Sequence, residues 1–160
     1  MLDRYNLSNR RIDSKSIQEE EVVKELVRDV DILSTPCEKA TAEDVELAND
    51  LKETLESIED VVCLAANQIG VTKQVVAVYG DDGNVFVMLN PKLLRGLYPM
   101  KMEEECMTVD GTAKVTRFGK IKVSYDQIKD GKLVNRKQDF QANTAQAIQH
   151  MIDHCNGKLV

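Results

Sequence analysis

The amino-acid sequence predicts an α+β fold in which antiparallel β-sheets pack around a C-terminal helix. Apolar residues recur at three- and four-residue steps near both ends of the chain, which indicates helices. The middle carries β-branched runs on either side of short turn-forming segments, which indicates strands. The 160 residues and 42% hydrophobic content suffice for one well-buried core. We therefore expect a single domain over residues 17–160, preceded by a flexible polar arm over residues 1–16.

The N-terminal third is predicted to contain two helices. Over residues 17–33 the helical spacing predicts a short helix followed by an extended segment, and Pro36 ends this element. The same spacing over residues 41–59 predicts a longer helix. Thr41 can cap it, because its hydroxyl can accept a hydrogen bond from a backbone N–H of the first turn, and acidic residues follow within that turn.

Two β-hairpins are predicted in the middle of the chain. In the second, Ile121, Val123 and Tyr125 alternate with Lys122 and Ser124, as expected of a strand with one buried and one exposed face. Glycine and aspartate residues separate the strands of each pair and favour the tight turns that make paired strands antiparallel. The predicted strands cover residues 74–79, 85–89, 120–126 and 133–140.

A final helix is predicted near the C-terminus. Asn143 and Gln146 have the spacing of a capping box, and Gly157 is placed to end the helix. One face forms an apolar stripe that would pack on the sheet. The stripe consists of Ala145, Ile148, Ile152 and Cys155.

Charge and composition exclude several kinds of partner. The formal net charge is −6 and no aromatic-plus-basic cluster occurs, so the chain lacks the Lys- and Arg-rich face that nucleic-acid binding requires. No apolar stretch has the length of a signal-peptide core or a membrane span. We expect a soluble, cytoplasmic protein with no nucleic-acid and no membrane partner. Its four cysteines are then expected to be free thiols or metal ligands.

The only two histidines, His150 and His154, lie four residues apart on the predicted C-terminal helix. Residues at this spacing share a helix face, with Cβ atoms roughly 5–6 Å apart, so both imidazoles can bind one metal ion. The alternative interpretation is that the two histidines have this spacing by chance and only pack against the sheet. Cys106 offers a third ligand, and three protein ligands would leave one tetrahedral position open, as in catalytic sites.

Three motifs together resemble those of the peptide deformylase family. They are CLAANQIG at Cys63–Gly70, EECMT at Glu104–Thr108 and QHMIDH at Gln149–His154. The family has G-x-G-L-A-A-x-Q-I-G, E-G-C-L-S and Q-H-E-x-D-H, in the same order and at similar separations. The resemblance runs from about Ile32 to the C-terminus and implies the deformylase fold, whose C-terminal helix binds metal.

The resemblance implies a site built from all three motifs. Cys106, His150 and His154 match the ligands of one divalent metal, expected to be Fe²⁺ in the reducing cytosol, with Zn²⁺, Ni²⁺ or Co²⁺ as substitutes. Gln68 matches the amide that stabilises the oxyanion of the attacked formyl group, together with a backbone N–H, here that of Met107.

The resemblance also places residues along the substrate path. Cys63, Leu64 and Glu105 match positions that bind substrate, and the implied ligand is a formyl-methionyl peptide or a similar small peptide. Asp153 is expected to hold a ligand or neighbouring backbone in place rather than to act in catalysis. Ribosome association is not indicated, because no basic tail follows the third motif.

The sequence departs from the family pattern at the general base. Met151 stands where the family has the glutamate that transfers protons, and a thioether cannot do so. Glu105 replaces a glycine, and Val61 and Cys63 replace both glycines of the first motif, which suggests a narrowed or reshaped peptide groove. Glu105 is the one nearby acid whose carboxylate could approach the metal. The alternative interpretation is that its side chain faces solvent. For Cys63 the alternative is a packed thiol.

Two functions remain open from the sequence. The first is a peptide-deformylase-like metallohydrolase that removes the N-formyl group from formyl-methionyl peptides, weakly because Met151 replaces the base. The second is a non-catalytic relative that binds a metal and a peptide or small acyl ligand.

Overall fold

The computed structural model describes residues 23–160, and the expected arm over residues 1–16 lies outside them. No helix in the described part is long and apolar enough to cross a membrane. The α-helices are α1 (Val30–Leu33), α2 (Val45–Glu56) and α3 (Ala142–Cys155), and 3₁₀ turns occupy Ala42–Asp44 and Ala66–Ile69. The strands are β1 (Cys63–Ala65), β2 (Val75–Tyr79), β3 (Val85–Cys106), β4 (Val109–Lys129) and β5 (Lys132–Gln141).

The five strands form one antiparallel sheet in the order β1-β2-β3-β4-β5, so each strand pairs with its neighbours in sequence. The predicted α+β class is confirmed, with the strands joined into a single sheet. Both predicted hairpins are present, as β2 with β3 and β4 with β5. The second turns at Asp130 and Gly131, whose φ values of 53° and 76° suit a two-residue hairpin loop.

The β3–β4 hairpin is far longer than the sequence predicted. The predicted strands ended at residue 89 and began again at residue 120, whereas β3 and β4 run for 22 and 21 residues with register shifts that interrupt the ladder. Gly96, Pro99 and a run of three acids break the alternating pattern in between. Gly96 is required by packing, because a Cβ there would lie 2.3 Å from the ring of Phe118 on β4. Such a contact between strands has no local sequence signal.

The prediction for the first helix is wrong over the segment before α1. Residues 23–29 are not helical, and α1 follows them, so the order of helix and extended segment is the reverse of the prediction within the described residues. The backbone instead bonds to distant parts of the chain. Val27 N–H donates to the Gln68 carbonyl (2.8 Å), and Lys24 N–H donates to Thr54 Oγ1 (3.0 Å). Long-range bonds thus replace the helical ones that the spacing favoured.

The second predicted helix is present as α2, with the 3₁₀ turn leading into it. Thr41 caps this entry as predicted. Its Oγ1 accepts from Glu43 N–H (3.2 Å), and its own N–H donates to Asp44 Oδ2 (2.8 Å). The two bonds satisfy donors that the helix start would otherwise leave free.

The sheet carries a hydrophobic core on each face. Val76 and Val78 of β2 pack on the side of α3, whereas Val75 and Ala77 pack on the side of α2, as the two-residue period of a strand requires. Helix α3 therefore lies on one face of the sheet, beside the C-terminal end of β3.

The ends of α3 agree with the sequence at one terminus only. The predicted capping box of Asn143 and Gln146 is wrong, because Gln141 is the N-cap, no side chain caps the helix, and Gln146 Nε2 donates to Glu104 Oε2 (2.9 Å). Gly157 ends the helix as predicted, with φ of 74° and a backbone N–H that donates to the His154 carbonyl (3.0 Å).

Candidate metal centre

The two histidines and Cys106 meet where α3 passes the end of β3. His150 and His154 lie one helical turn apart and are 7% and 0% exposed, while Cys106 is the last residue of β3 and half-buried. The Cys106 Sγ atom is 3.4 Å from His154 Nε2, and the two Nε2 atoms are 3.1 Å apart. All three ligand atoms lie within 4.8 Å of one another.

This group fits a divalent metal ion by its donor chemistry and spacing. One thiolate and two imidazoles are ligands that zinc, iron, nickel and cobalt accept, at metal–ligand distances of about 2.0–2.3 Å. Ligands at those distances around one ion lie about 3–4 Å from each other, close to the separations seen here. The three side chains that the sequence predicted as metal ligands are therefore brought together in one place.

A buried ionic network holds the first histidine. Glu104 Oε1 lies 2.8 Å from His150 Nδ1, which leaves His150 Nε2 directed at the other ligands. Arg117 binds the same carboxylate through Nη2 (2.7 Å) and Nε (3.0 Å), and its Nη1 donates to Asp153 Oδ2 (2.7 Å). Asp153 thus holds Arg117 rather than a ligand directly. A partner that fixes the far nitrogen of a ligating histidine also fixes its tautomer and ring orientation.

The electrostatics of the network favour ionised groups. Burial opposes the charge of Glu104, but hydrogen bonds from His150, Arg117 and Gln146 outweigh it and lower the pKa of this carboxyl to about 2. Burial likewise opposes ionisation of Cys106, and hydrogen bonds from the two histidines and a threonine lower its pKa to about 5. The cysteine is thereby held as the thiolate, which is the form that binds metal.

The charge on His150 is coupled to that thiolate. Burial favours the neutral imidazole, but hydrogen bonds and charge from Cys106 and Glu104 raise the pKa of His150 to about 9. Only the neutral form can donate its Nε2 lone pair to a metal ion. Protonation of His150 therefore opposes metal binding at this site.

Gln68 lies at the same centre, at the 3₁₀ turn that follows β1. Its side chain is 1% exposed, and Ala65 N–H donates to its Oε1 (2.8 Å), which fixes the orientation of the amide. The Nε2 group then donates to Cys106 Sγ (3.2 Å) and Thr108 Oγ1 (3.0 Å). Both N–H groups of this amide therefore have acceptors beside the candidate ligands.

A cavity of about 600 Å³ opens onto this centre. Its walls are the segment from Asp60 to β1, the end of β3, and the face of α3 that carries Met151. Of the residues predicted along the substrate path, Cys63 and Glu105 line it, and Glu105 is exposed. Leu64 does not line it, because its side chain is fully buried in the core beside α2.

Met107 and Met151 also belong to the cavity wall. Met151 is 1% exposed and packs in the α3 core while it borders the space beside His150. Cys63 is near enough to Cys106 and Glu104 that their charges add to the effect of burial, which raises the pKa of its thiol to about 12. Cys63 is therefore a neutral thiol beside an ionised one.

Sequence reasoning gave no role to Glu104, Thr108 or Arg117. A signal for Glu104 was available, because it is the first residue of the second motif and lies two positions before Cys106. The partner of Glu104 is Arg117 on β4, 13 residues away in sequence, and no spacing rule connects them.

The comparisons with known proteins agree with this geometry. The chain is 37% identical over 141 residues to the peptide deformylase of Clostridium beijerinckii, covering 87% of this chain and 100% of that protein. It is 35% identical over 127 residues to the peptide deformylase of Halothermothrix orenii, covering 78% and 79% of the two chains.

Solved structures with a similar fold are also deformylases. A class I type b peptide deformylase from Acinetobacter baumannii with bound Met-Ala-Ser matches with a TM-score of 0.73 and 26% identity, over 86% of this chain and 96% of that one. The enzyme from Thermus thermophilus matches with a TM-score of 0.73 and 25% identity, over 86% and 82%. The sequence profile of the Polypeptide deformylase family covers residues 21–160. The chain therefore belongs to the peptide deformylase family.

Proposed function

We propose that the protein is a peptide-deformylase-like metallohydrolase that removes the N-formyl group from formyl-methionyl peptides at a low rate. The observation that carries this proposal is the convergence of Cys106, His150 and His154 on one point, with the Gln68 amide fixed beside them. The opening of a cavity onto the same point supports a substrate site rather than a closed structural metal site.

We propose that the protein is cytoplasmic and that its metal is Fe²⁺. Zn²⁺, Ni²⁺ or Co²⁺ are the proposed substitutes. The mixed thiolate and imidazole ligands accept each of these ions. When bound, such an ion supplies Lewis acidity, which polarises a carbonyl group and acidifies water. Cys106, His150 and His154 would hold it, and Glu104 would keep the His150 ring in place.

The remaining catalytic groups come from the motif residues around the cavity. Gln68 Nε2 would exchange its hydrogen bond to Cys106 Sγ for one to the oxygen of the formyl carbonyl as negative charge develops there, with the backbone N–H of Met107 as a second donor. The other predicted contacts with the peptide are those of Cys63 and Glu105 on the two walls. Leu64 would contribute through its backbone, since its side chain is in the core.

The low rate follows from Met151. A general base at this position would take a proton from the attacking water and deliver it to the leaving amine, and such catalysis is worth about 10²–10⁴ in rate. The thioether of Met151 borders the cavity beside His150 and can neither accept nor donate that proton. Proton transfer would then depend on solvent or on another acid near the cavity.

The same observation supports a second candidate function. A relative that binds metal and a peptide or small acyl ligand without turning it over needs the ligands, the cavity and Gln68, and it does not need a base. The proposed ligand in either case is a small peptide. The bound Met-Ala-Ser of the Acinetobacter baumannii enzyme supports it. We propose a single domain over residues 17–160 for both functions.

Anaerobic purification, metal analysis and a formyl-Met-Ala-Ser turnover assay test the proposal. We expect one divalent metal per chain and kcat/KM about 10²–10⁴ below that of a relative with the complete third motif. The His154→Ala variant should lose both metal and turnover. Metal binding with no turnover at all would favour the non-catalytic relative, and turnover equal to that of a complete enzyme would show that another group supplies the base.

A further inference from the structure

The rim of the cavity carries negative charge in excess. Asp60 lies at the start of one wall, and Glu103 and Glu105 lie on the other, at the end of β3. All three side chains are exposed, and no lining residue is lysine or arginine. The fourth acid of the wall, Glu104, is already neutralised by Arg117 and His150.

None of the three rim acids forms an ion pair in the described part of the chain. Within residues 23–160 none of them lies within 4.0 Å of a basic group. Arg28 reaches the Met107 carbonyl (2.6 Å), but its charge is paired with Asp110. Lys114 is the register partner of Glu103 on β4 and offsets part of its charge without forming an ion pair with it, whereas the register partner of Glu105 is the uncharged Thr112.

We propose that this acidic rim makes the cavity selective for cationic peptides, namely formyl peptides with lysine or arginine after the formyl-methionine. The proposal rests on the proposed function, because it assigns a substrate class to the same cavity. A formyl group that reaches the Cys106 and His150 end leaves the following residues of the peptide between the acidic walls. A cleft lined by one sign of charge raises the local concentration of the opposite sign.

Glu105 is the main determinant of this selectivity. It adjoins Cys106, so it is the rim acid nearest in sequence to the candidate ligands, and it stands where the family pattern E-G-C-L-S has glycine. An exposed ion pair changes an equilibrium by up to about fivefold, so three acids together give a preference on the order of tenfold. Added salt screens such pairs and should reduce the preference.

The test compares three C-terminally amidated peptides, formyl-Met-Lys-Ala, formyl-Met-Gln-Ala and formyl-Met-Glu-Ala, on the metal-loaded full chain. We expect kcat/KM to fall in that order, by about tenfold in total at low salt, with the difference shrinking at 0.5 M NaCl. Glu105→Gln should reduce the Lys-to-Glu ratio by about two- to fivefold, and Glu105→Lys should reverse its direction. Glu53→Gln, which removes an exposed acid on α2 away from the cavity, should leave the ratio unchanged.

Binding of the three unformylated products, measured by calorimetry, separates this inference from the proposed function. Selective binding of Met-Lys-Ala without turnover would support the acidic rim and contradict the hydrolase. Turnover of all three formyl peptides at equal rates, or a ratio insensitive to Glu105→Lys, would overturn the inference and leave the hydrolase standing. Failure to bind or convert any of the peptides would contradict both.

Discussion

The two sides of the candidate metal centre are built differently. Behind the histidines every charge has a partner, as Glu104 binds His150 and Arg117, and Arg117 also binds Asp153. On the cavity side Met151 can transfer no proton, and Glu105 has no ion-pair partner within the described residues. The supporting side therefore holds its charges in pairs, whereas the proposed substrate side carries a thioether and an exposed acid. Substitutions on the two sides should change different properties.

The largest effect is expected on the cavity side. Met151→Glu should raise formyl-Met-Ala-Ser turnover by about 10²-fold in the metal-loaded protein, because it supplies a proton acceptor at the position of the base. Met151→Gln is the matched control, since it has the size of glutamate without its basicity, and it should give no gain. A metal-loaded Met151→Glu protein with unchanged turnover would show that the missing base is not what limits the rate.

The gain should grow when Glu105 is also replaced. Met151→Glu combined with Glu105→Gly should exceed either single change, because a glycine restores close backbone approach along the substrate path. The combined gain should differ from the product of the single gains, as expected of groups that act together. Initial rates of all four proteins under the same metal loading give the comparison, and strictly multiplicative gains would contradict coupling.

Substitutions on the supporting side should lower the free energy of unfolding. Glu104→Gln leaves Arg117 buried with only Asp153 as a charged partner, and breaking a buried ion pair in this way costs about 3 kcal/mol of unfolding free energy. Urea unfolding measures the change. The adjacent Glu103→Gln removes an exposed acid and should stay within about 0.5 kcal/mol of the wild type. Equal losses of unfolding free energy in the two variants would show that the buried ion pairs of Glu104 do not stabilise the fold.

Metal removal should destabilise the protein through the ligands alone. At a free metal concentration 100 times the Kd, binding stabilises the folded state by about 2.7 kcal/mol, so EDTA should lower Tm correspondingly. The shift should vanish in His154→Ala and persist in Met151→Gln, because only the former removes a ligand. A Tm that does not respond to EDTA in the wild type, after metal loading has been verified, would contradict the site.

The pH dependence of stability should separate Glu104 from the exposed acids. Its pKa is lowered from 4.5 to about 2 on folding, so its contribution is fully present above pH 4.5 and is lost as the pH falls through 2. In metal-free protein that loss is on the order of 2 kcal/mol between pH 5 and pH 2. Glu104→Gln should flatten this part of the profile in urea unfolding, whereas Glu103→Gln should not.

The sequence predicted the candidate ligands better than the groups that support them. Cys106, His150 and His154 carry recognisable spacing and motifs, and the structure brings them together. Arg117 could not be found in this way, because its role depends on the register that sets β4 beside β3. Local patterns report which face of an element a residue occupies, whereas pairing between strands decides what that face meets.

The fold shows the same limit. The short hairpins were predicted because alternation and turn residues are local, as at Tyr125 and Gly131. The long part of β3 and β4 was missed because glycine is unfavourable in a strand. Gly96 is nevertheless suited to its position, since the ring of Phe118 across the hairpin occupies the space that a side chain would need. Over residues 17–33 the spacing predicted a short helix followed by an extended segment, but bonds such as Val27 N–H to the Gln68 carbonyl hold residues 23–29 in a non-helical conformation. In each case a contact distant in sequence overrode a local preference.

The position of Arg117 has a consequence for how fast the metal could exchange. Its guanidinium binds both Glu104 on β3 and Asp153 on α3, so the hairpin and the helix that carry the candidate ligands are joined by a buried ion-pair network. The candidate ligands are then held in position before the metal binds, and metal binding needs no rearrangement of the two elements. Exchange should be limited by passage through the cavity rather than by opening of the fold. The rate of metal transfer to a chelator should accordingly respond to the size of residue 105 and remain insensitive to low concentrations of urea.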